Sequence, residues 1–287
     1  MTSTIQENEE PWTLVIRSQR GLFDLRLKEL WRARELIMLF VWRDFVSANK
    51  QTILGPFWYI LQPILSALIF TVVFGEIARL PTDGVPPFLF YLSGQTVWSF
   101  FSACLMSTSN IFVGNAGLFG KIYFHRLSVP IAAVISNLIS FSIRFGLFIV
   151  FLVYFILSGV EVHVTLWALF LPVLLLIMAG LGMGFGIIIS SLTTKYRDLQ
   201  RLLGIGVQLL TYVTPILYPL TIVPEKWRFL ILANPMTPVV EAFRLGFLGA
   251  GSIGTEYMFY STGFMLVAFF IGLLIFNRAE NTFIDTV

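Results

Sequence analysis

Long apolar runs alternate with short polar segments along this chain. Six of the runs reach or approach the length of about 20 residues that a helix needs to cross a bilayer core of about 30 Å. Because they are continuous and not strictly alternating, they predict helices rather than the strands of a membrane barrel. The pattern predicts an all-α integral membrane protein with six transmembrane helices. These predicted spans are residues 53–74, 88–113, 129–157, 166–192, 199–220 and 257–276.

An amphipathic segment precedes the first predicted span. In residues 24–46 the apolar positions recur mostly every three or four residues, and charged residues fill much of the remainder. This periodicity indicates a helix that lies in the membrane interface, with Trp31 and Trp42 at headgroup depth. The alternative is that residues 36–42 already begin the first span. The predicted organisation has four parts: a cytoplasmic tail (1–23), an amphipathic interfacial helix (24–50), a six-helix transmembrane domain (51–276) and a cytoplasmic tail (277–287).

Residues 222–248, between the fifth and sixth predicted spans, are apolar enough to suggest a seventh span. They also contain charges, among them Glu225, Glu241 and Arg244, and the prolines Pro235 and Pro238. Charges are costly in hydrocarbon, and prolines remove backbone donors. A re-entrant pair of short helices on the outer side fits better. Irregular backbone at such depth needs protein or a water-filled cavity beside it.

Composition and charge support a membrane location and set its orientation. Hydrophobic residues make up 57% of the 287 residues and charged residues only 12%, about half the charged fraction of a soluble domain. Most of the 19 Lys and Arg residues lie in segments on the same side as the N-terminus. By the positive-inside rule, both termini are expected in the cytoplasm. The opposite loops carry Arg79, Lys226, Arg228 and Arg244.

Several kinds of chemistry are excluded by the residues present. The chain has one cysteine, Cys104, and two histidines, His125 and His163, which are far apart. This set gives neither a disulfide nor a zinc site. Residues 114–126 superficially suggest a phosphate-binding loop, but the first glycine is misplaced and Ile122 occupies the position of the metal-binding hydroxyl. The chain is therefore not expected to bind a cofactor or to act as an enzyme.

Polar and aromatic side chains within the spans are the candidates for a translocation pathway. Arg144 lies in the middle of a predicted span, and an intramembrane charge is by default a functional hypothesis. Aromatic rings can stack on sugar rings, although the aromatic belt of any membrane protein explains many such residues. Glycines at every second position from Gly180 to Gly186 predict close helix packing. The pathway candidates are Trp58, Tyr59, Gln62, Tyr91, Gln95, Trp98, Arg144, Tyr212 and Tyr218.

The loop between the second and third predicted spans is more apolar than a water-facing loop requires. Leu118, Phe119, Ile122, Tyr123 and Phe124 lie in it, next to basic residues. Apolar surface outside the membrane usually contacts another protein. This loop therefore predicts a cytoplasmic partner.

Four motifs together resemble the membrane subunit of type-2 ABC exporters for lipid-linked polysaccharides such as O-antigen, capsule and teichoic acid. The first is residues 48–58, ANKQTILGPFW, where the family usually has Arg-Tyr in place of Ala48-Asn49. The second is residues 115–130, with His125 in place of the usual proline. The third is residues 195–199, KYRDL, and the fourth extends from Tyr218-Pro219 to Asn234-Pro235-Met236. The resemblance covers about residues 24–276.

The resemblance implies an ATP-driven exporter in the bacterial inner membrane. Two copies of this chain would form the pore, and two copies of a cytoplasmic ABC ATPase would bind ATP and Mg. The substrate would be an undecaprenyl-linked polysaccharide, with O-antigen as the first candidate. Membrane lipids are further partners, and nucleic acid is not expected. The residues implied to couple to the ATPase are Asn115, Leu118, Lys121, Tyr123, Phe124, His125, Arg126, Arg197 and Asp198.

Other functions stay open at this stage. A capsule or teichoic-acid exporter would have the same membrane subunit, and so would a drug exporter of the same fold. A membrane-embedded acyltransferase or glycosyltransferase would need a catalytic base or paired carboxylates. Asp44, Glu76, Asp83 and Asp198 are instead scattered singly along the chain.

Overall fold

The computed structural model of the protein describes residues 27–50, 52–115, 117, 126–193, 196 and 198–285, with side chains for all of these except 27–29, 49 and 279–285. Regular secondary structure in that part is helical, without a strand. This confirms the predicted all-α fold class. The helices are α1 (Leu27–Arg32), α2 (Arg34–Asn49), α3 (Gly55–Ile77), α4 (Pro87–Ser109), α5 (Ile111–Gly114), α6 (Ser128–Leu157), α7 (Leu166–Thr193), α8 (Leu199–Val213), α9 (Glu225–Leu232), α10 (Met236–Leu248) and α11 (Thr255–Asp285).

Five described helices, α3, α4, α6, α7 and α11, are long and apolar enough to cross a bilayer. They coincide with five of the six predicted spans. The remaining predicted span, residues 199–220, contains α8, which has 15 residues. At about 1.5 Å per residue such a helix extends about 22 Å, less than the bilayer core of about 30 Å. The count of six transmembrane helices therefore stays a prediction.

Helix α8 ends at Val213 because a proline follows shortly after. Pro215 disfavours helical backbone angles in the residue before it, and Thr214 accordingly has an extended backbone with ψ of 137°. Its side chain is held by Asn234, whose Nδ2 donates to Thr214 Oγ1 at 2.8 Å. The chain then continues without a regular helix to Pro219. The hydrophobic run alone did not reveal this break.

Close packing of α7 against two neighbouring helices confirms the role predicted for its glycines. A Cβ added at Gly182 would lie 2.7 Å from the Cβ of Cys104 in α4, and one at Gly184 would lie 2.8 Å from the backbone of Ala268 in α11. The hydroxyl of Thr108 in α4 also donates to the Gly182 carbonyl at 3.0 Å. Only glycine allows both helices to approach α7 so closely.

Helix α2 has two apolar faces rather than the single face that the sequence predicts. Ile37, Phe40 and Val41 are buried in a cluster that includes residues from α5, α6, α7 and α11. Met38 and Trp42 are exposed. One face therefore packs on an end of the helix bundle and the other is available to lipid. The interfacial location of α2 stays a prediction.

The segment predicted as a re-entrant helical pair does form two helices, α9 and α10. Pro224 and Pro235 are the residues that precede them. Helix α9 is largely exposed, whereas α10 is buried along almost its whole length. Gly249 ends α10 in a left-handed conformation, with φ of 67°. How deeply the pair enters a membrane stays a prediction.

Candidate functional site

Three of the predicted pathway residues line one small cavity between α3, α4 and α6. They are Gln62 of α3, Gln95 of α4 and Arg144 of α6, and the cavity has a volume of about 40 Å³. Tyr59 adjoins them, because the Arg144 guanidinium carbon lies 5.6 Å from the centroid of its ring. Pro63 also lines the cavity, and because it has no backbone N–H, one helical hydrogen bond of α3 is missing there. We call Tyr59, Gln62, Gln95 and Arg144 the arginine cluster.

No carboxylate pairs with Arg144 in the part of the chain that the structure describes. Ion pairs there involve Arg34, Arg43 and Arg244, and not Arg144. The negative face of the Tyr59 ring attracts the cation instead. Gln95 Oε1 is buried and has no hydrogen-bond partner among the described residues. Because a cavity of about 15 Å³ can hold one water molecule, the cavity beside Gln95 has room for a polar group or water.

The other predicted pathway residues lie in different surroundings. Tyr91 and Trp98 are buried in the core of this chain, and Tyr91 packs edge-on against Phe90, with ring centroids 5.5 Å apart. Trp58 and Tyr212 are exposed. The hydroxyl of Tyr218 lies 3.1 Å from the carbonyl oxygen of Tyr212. A fully buried ring cannot touch a substrate without rearrangement, so the pathway assignment of the nine residues stays a prediction.

The residues predicted to couple to an ATPase are described only in part. Asn115 follows α5, and its Nδ2 donates to the Ile111 carbonyl at 3.1 Å. Asp198 is exposed and directly precedes α8. Both segments emerge at the same end of the bundle, because the Phe112 amide donates to Ser190 Oγ near the end of α7 at 3.1 Å. Arg126 is half-buried. The predicted coupling residues outside the described part are Leu118, Lys121, Tyr123, Phe124, His125 and Arg197.

A buried arginine that was not among the predicted site residues stabilises the break after α8. Arg244 of α10 is only 1% exposed. Its guanidinium donates to the Pro215 carbonyl at 2.6 Å and to the Ile216 carbonyl at 2.8 Å. It also lies 3.7 Å from the centroid of the Phe90 ring. These contacts tie the end of α8 to α4 and α10.

The Arg244 charge is paired within its own helix. Its Nη1 lies 3.4 Å from Oε1 of Glu241, and Glu241 Oε2 accepts from the Ser252 amide at 3.2 Å. Burial lowers the pKa of Arg244 to about 10, so the guanidinium stays protonated at neutral pH. Burial also raises the pKa of Glu241, and the charge of Arg244 opposes that rise. The E-x-x-R spacing in an apolar run is the sequence signal for this pair, whereas the charges taken singly argue only against a seventh span.

Comparison with known proteins places the chain among transport permeases. The family model described as ABC-2 type transporter matches residues 35–248. The chain is 28% identical over 253 residues to the O-antigen export system permease protein RfbA of Klebsiella pneumoniae, with 88% of this chain and 94% of that protein covered. It is 26% identical to the RfbA of Myxococcus xanthus, with 91% and 98% covered. It is 29% identical to the polysialic acid transport protein KpsM of Escherichia coli, with 81% and 89% covered.

Proposed function

The chain belongs to the ABC-2 type transporter family, and we propose that it is the membrane subunit of an exporter for lipid-linked polysaccharide, with O-antigen as the first candidate. The observation that carries this proposal is a likeness along nearly the whole chain to permeases named for O-antigen export. The match to the family model confirms the family resemblance found in the sequence. The likeness to these permeases supports a transport subunit rather than an enzyme.

The proposal includes a separate cytoplasmic ATPase, since an ABC-2 permease supplies the membrane part of an ATP-driven transporter. The chemistry of ATP and Mg belongs to that partner chain. Asn115, Arg126 and Asp198 lie at or beside the end of the bundle where α2 also packs. ATP-driven closure of two ATPase chains there would rotate two copies of this chain relative to each other. Both termini would lie in the cytoplasm, and the membrane would be the bacterial inner membrane.

The arginine cluster is proposed to contact the substrate during transport. Arg144 is the charged member of the cluster, and it lines the polar cavity between α3, α4 and α6. An anionic diphosphate between a lipid and a sugar would be attracted to it. Gln62 is exposed and can donate and accept hydrogen bonds with sugar hydroxyls. Binding must stay weak enough to permit release, as in any conduction path.

Capsular polysaccharide is the second candidate substrate. The observation that favours it is the likeness of 29% identity to a permease named for polysialic acid transport. O-antigen is placed first because the likeness to the permeases named for it covers more of this chain, 88% and 91% against 81%.

Deletion of this chain from the cell that makes it tests the proposal. We expect the surface polysaccharide to disappear and the lipid-linked polysaccharide to accumulate on the cytoplasmic side. Restoring the chain should restore the surface polymer. Chemical analysis of the accumulated glycan distinguishes O-antigen from capsule. If the surface polysaccharides are unchanged after deletion, the proposed function is wrong.

A further inference from the structure

A second polar cavity lies between α2 and the adjoining parts of α3, α4 and α6. Its volume is about 260 Å³, and we call it the α2 pocket. Only Tyr59 among its lining residues belongs to the pathway predicted from the sequence. The polar side chains that line it are Asp44, Tyr59, Ser107, Ser136, Asn137 and Ser140.

The lining of the α2 pocket has the chemistry of a site for a neutral polyhydroxylated ring. It combines three serine hydroxyls, an amide, a phenol and the Asp44 carboxylate, without a basic side chain. Hydroxyls and amides both donate and accept hydrogen bonds, as sugar hydroxyls do. The Asp44 carboxylate, which is paired with Arg43, can accept hydrogen bonds from sugar hydroxyls. Tyr59 adds an aromatic side chain, which can pack against the apolar face of a sugar.

Hydrogen bonds to neighbouring side chains orient two polar side chains of the pocket, Asn137 and Asp44. The Asn137 amide donates to Ser107 Oγ at 2.8 Å, which orients the amide and joins α6 to α4. Asp44 accepts two bonds from Arg43, at 2.9 and 2.7 Å, and both go to Oδ1. The hydroxyl of Ser136 is buried without a hydrogen-bond partner among the described residues. A buried polar group without a partner is costly, and an occupant would bond to Ser136 only after a local side-chain rearrangement.

The pocket has room for a sugar ring. Its volume of about 260 Å³ is many times the volume of about 15 Å³ that holds one water molecule. Tyr59 lines the pocket and also contacts Arg144, so the pocket adjoins the arginine cluster.

We propose that the α2 pocket binds the first sugar of the lipid-linked glycan, the one next to the lipid diphosphate, before transport begins. This inference rests on the proposed function, and in the proposed orientation the pocket lies toward the cytoplasmic side. The sugar would occupy the pocket while the diphosphate faces the cation of Arg144. Selection of the glycan would then depend on its first sugar, not on the repeating polymer.

Photo-crosslinking in cells tests the proposal with the complete transporter. p-Benzoylphenylalanine is placed at Ala48, which lines the pocket, or at the neighbouring exposed Ser47, which does not. After irradiation, the chain is purified, and covalently attached sugar is detected by periodate oxidation and hydrazide capture. Phospholipid on the same chain is detected through metabolically incorporated labelled glycerol. We expect sugar on the Ala48 variant and much less on the Ser47 variant.

A pocket-filling substitution adds a matched comparison on one helix. Ser140→Met fills the pocket, whereas Ser142→Met changes an exposed serine of the same helix. Both serine hydroxyls bond to the carbonyl four residues earlier, so the local backbone effect is the same. In the Ala48 crosslinking background, we expect Ser140→Met to lower the sugar adduct about tenfold or more and Ser142→Met to leave it unchanged.

The outcomes separate this inference from the proposed function. Equal sugar adducts at Ala48 and Ser47, or a sugar adduct insensitive to Ser140→Met, overturn the pocket as a sugar site. An adduct that contains labelled glycerol but no sugar assigns the pocket to a phospholipid headgroup and also overturns it. In each of these cases, export that still depends on this chain leaves the proposed function standing. If surface glycan does not depend on the chain, both proposals fail.

Discussion

The guanidinium of Arg144 lies over the ring of Tyr59, with 5.6 Å between the guanidinium carbon and the ring centroid. This contact joins a charge in the middle of α6 to an aromatic residue near the beginning of α3. No carboxylate pairs with Arg144 among the described residues. The ring therefore supplies part of the electrostatic stabilisation that a charge within a membrane span needs.

Removal of the Tyr59 ring should lower the stability of the protein, because Arg144 loses its contact with the ring. We expect Tyr59→Leu to lower the free energy of unfolding by about 1–2 kcal/mol more than Tyr59→Phe, which keeps the aromatic face. In the background of Arg144→Gln this difference should largely vanish. Thermal unfolding of the four variants in the same lipid gives this double-mutant cycle. A difference that persists without the arginine would show that the ring acts through packing alone.

The two hydrogen bonds that Arg244 donates to the Pro215 and Ile216 carbonyls should require the planar shape of the guanidinium. Arg244→Lys keeps the charge, but an ammonium does not reproduce the planar fork. Because one buried carbonyl would then lack a donor, we expect the free energy of unfolding to fall by about 1–3 kcal/mol. Arg228→Lys, at an exposed position of α9, is the control and should change stability by less than about 0.5 kcal/mol. Equal effects at the two positions would contradict the role of the fork.

The close approach of α7 to its neighbours should make its glycines intolerant of a methyl group. Gly182→Ala places a Cβ against Cys104 and the α4 backbone, and such overpacking costs about 1–3 kcal/mol. Gly146→Ala in α6 meets nothing within 4 Å, and should instead stabilise the helix by about 0.5–1 kcal/mol. Thermal unfolding measures both. A stable Gly182→Ala variant would show that α4 and α7 are not packed as closely as described.

The proposed topology places the beginning of α9 and the loop after α10 outside the membrane on the same face. Single cysteines replacing Glu225 and Ser252, in a Cys104→Ala background, should both react with a membrane-impermeant maleimide added from the periplasmic side. Asp198→Cys, in the proposed cytoplasmic loop, should react only after the membrane is permeabilised. Labelling of only one of the two outer positions would mean that residues 222–248 cross the bilayer.

The positions of the membrane-length helices were predictable from the sequence, because bilayer thickness demands long apolar runs. The predicted span 129–157 corresponds to α6, Ser128–Leu157, and the predicted span 257–276 lies within α11. The early end of α8 was missed because a hydrophobic run does not register the effect of Pro215, and the carbonyls at the break are satisfied by Arg244, which is distant in sequence. Hydrophobicity does not encode such a tertiary contact.

The candidate site was predictable as residue types but not as an arrangement. Gln62, Gln95 and Arg144 are candidates because polar groups are rare in membrane spans, and the structure brings them to one cavity. Tyr91 is a candidate because an aromatic ring can stack on a sugar, yet it is buried in the core. Which side of a helix faces a neighbour depends on the rotation of the helix in the bundle, and the apolar runs around these positions are too uniform to indicate that rotation.

In the proposed function, this chain moves lipid-linked polysaccharide across the membrane when ATP is supplied to its partner. Inside-out membrane vesicles from cells that make the glycan test this transport, with periodate added outside to destroy any glycan still on the outer face. We predict that ATP makes the glycan resistant in vesicles with the wild-type chain, and that Arg144→Gln at equal abundance and with equal ATP hydrolysis shows much less protection. Wild-type vesicles that hydrolyse ATP without protecting any glycan would contradict the proposed function.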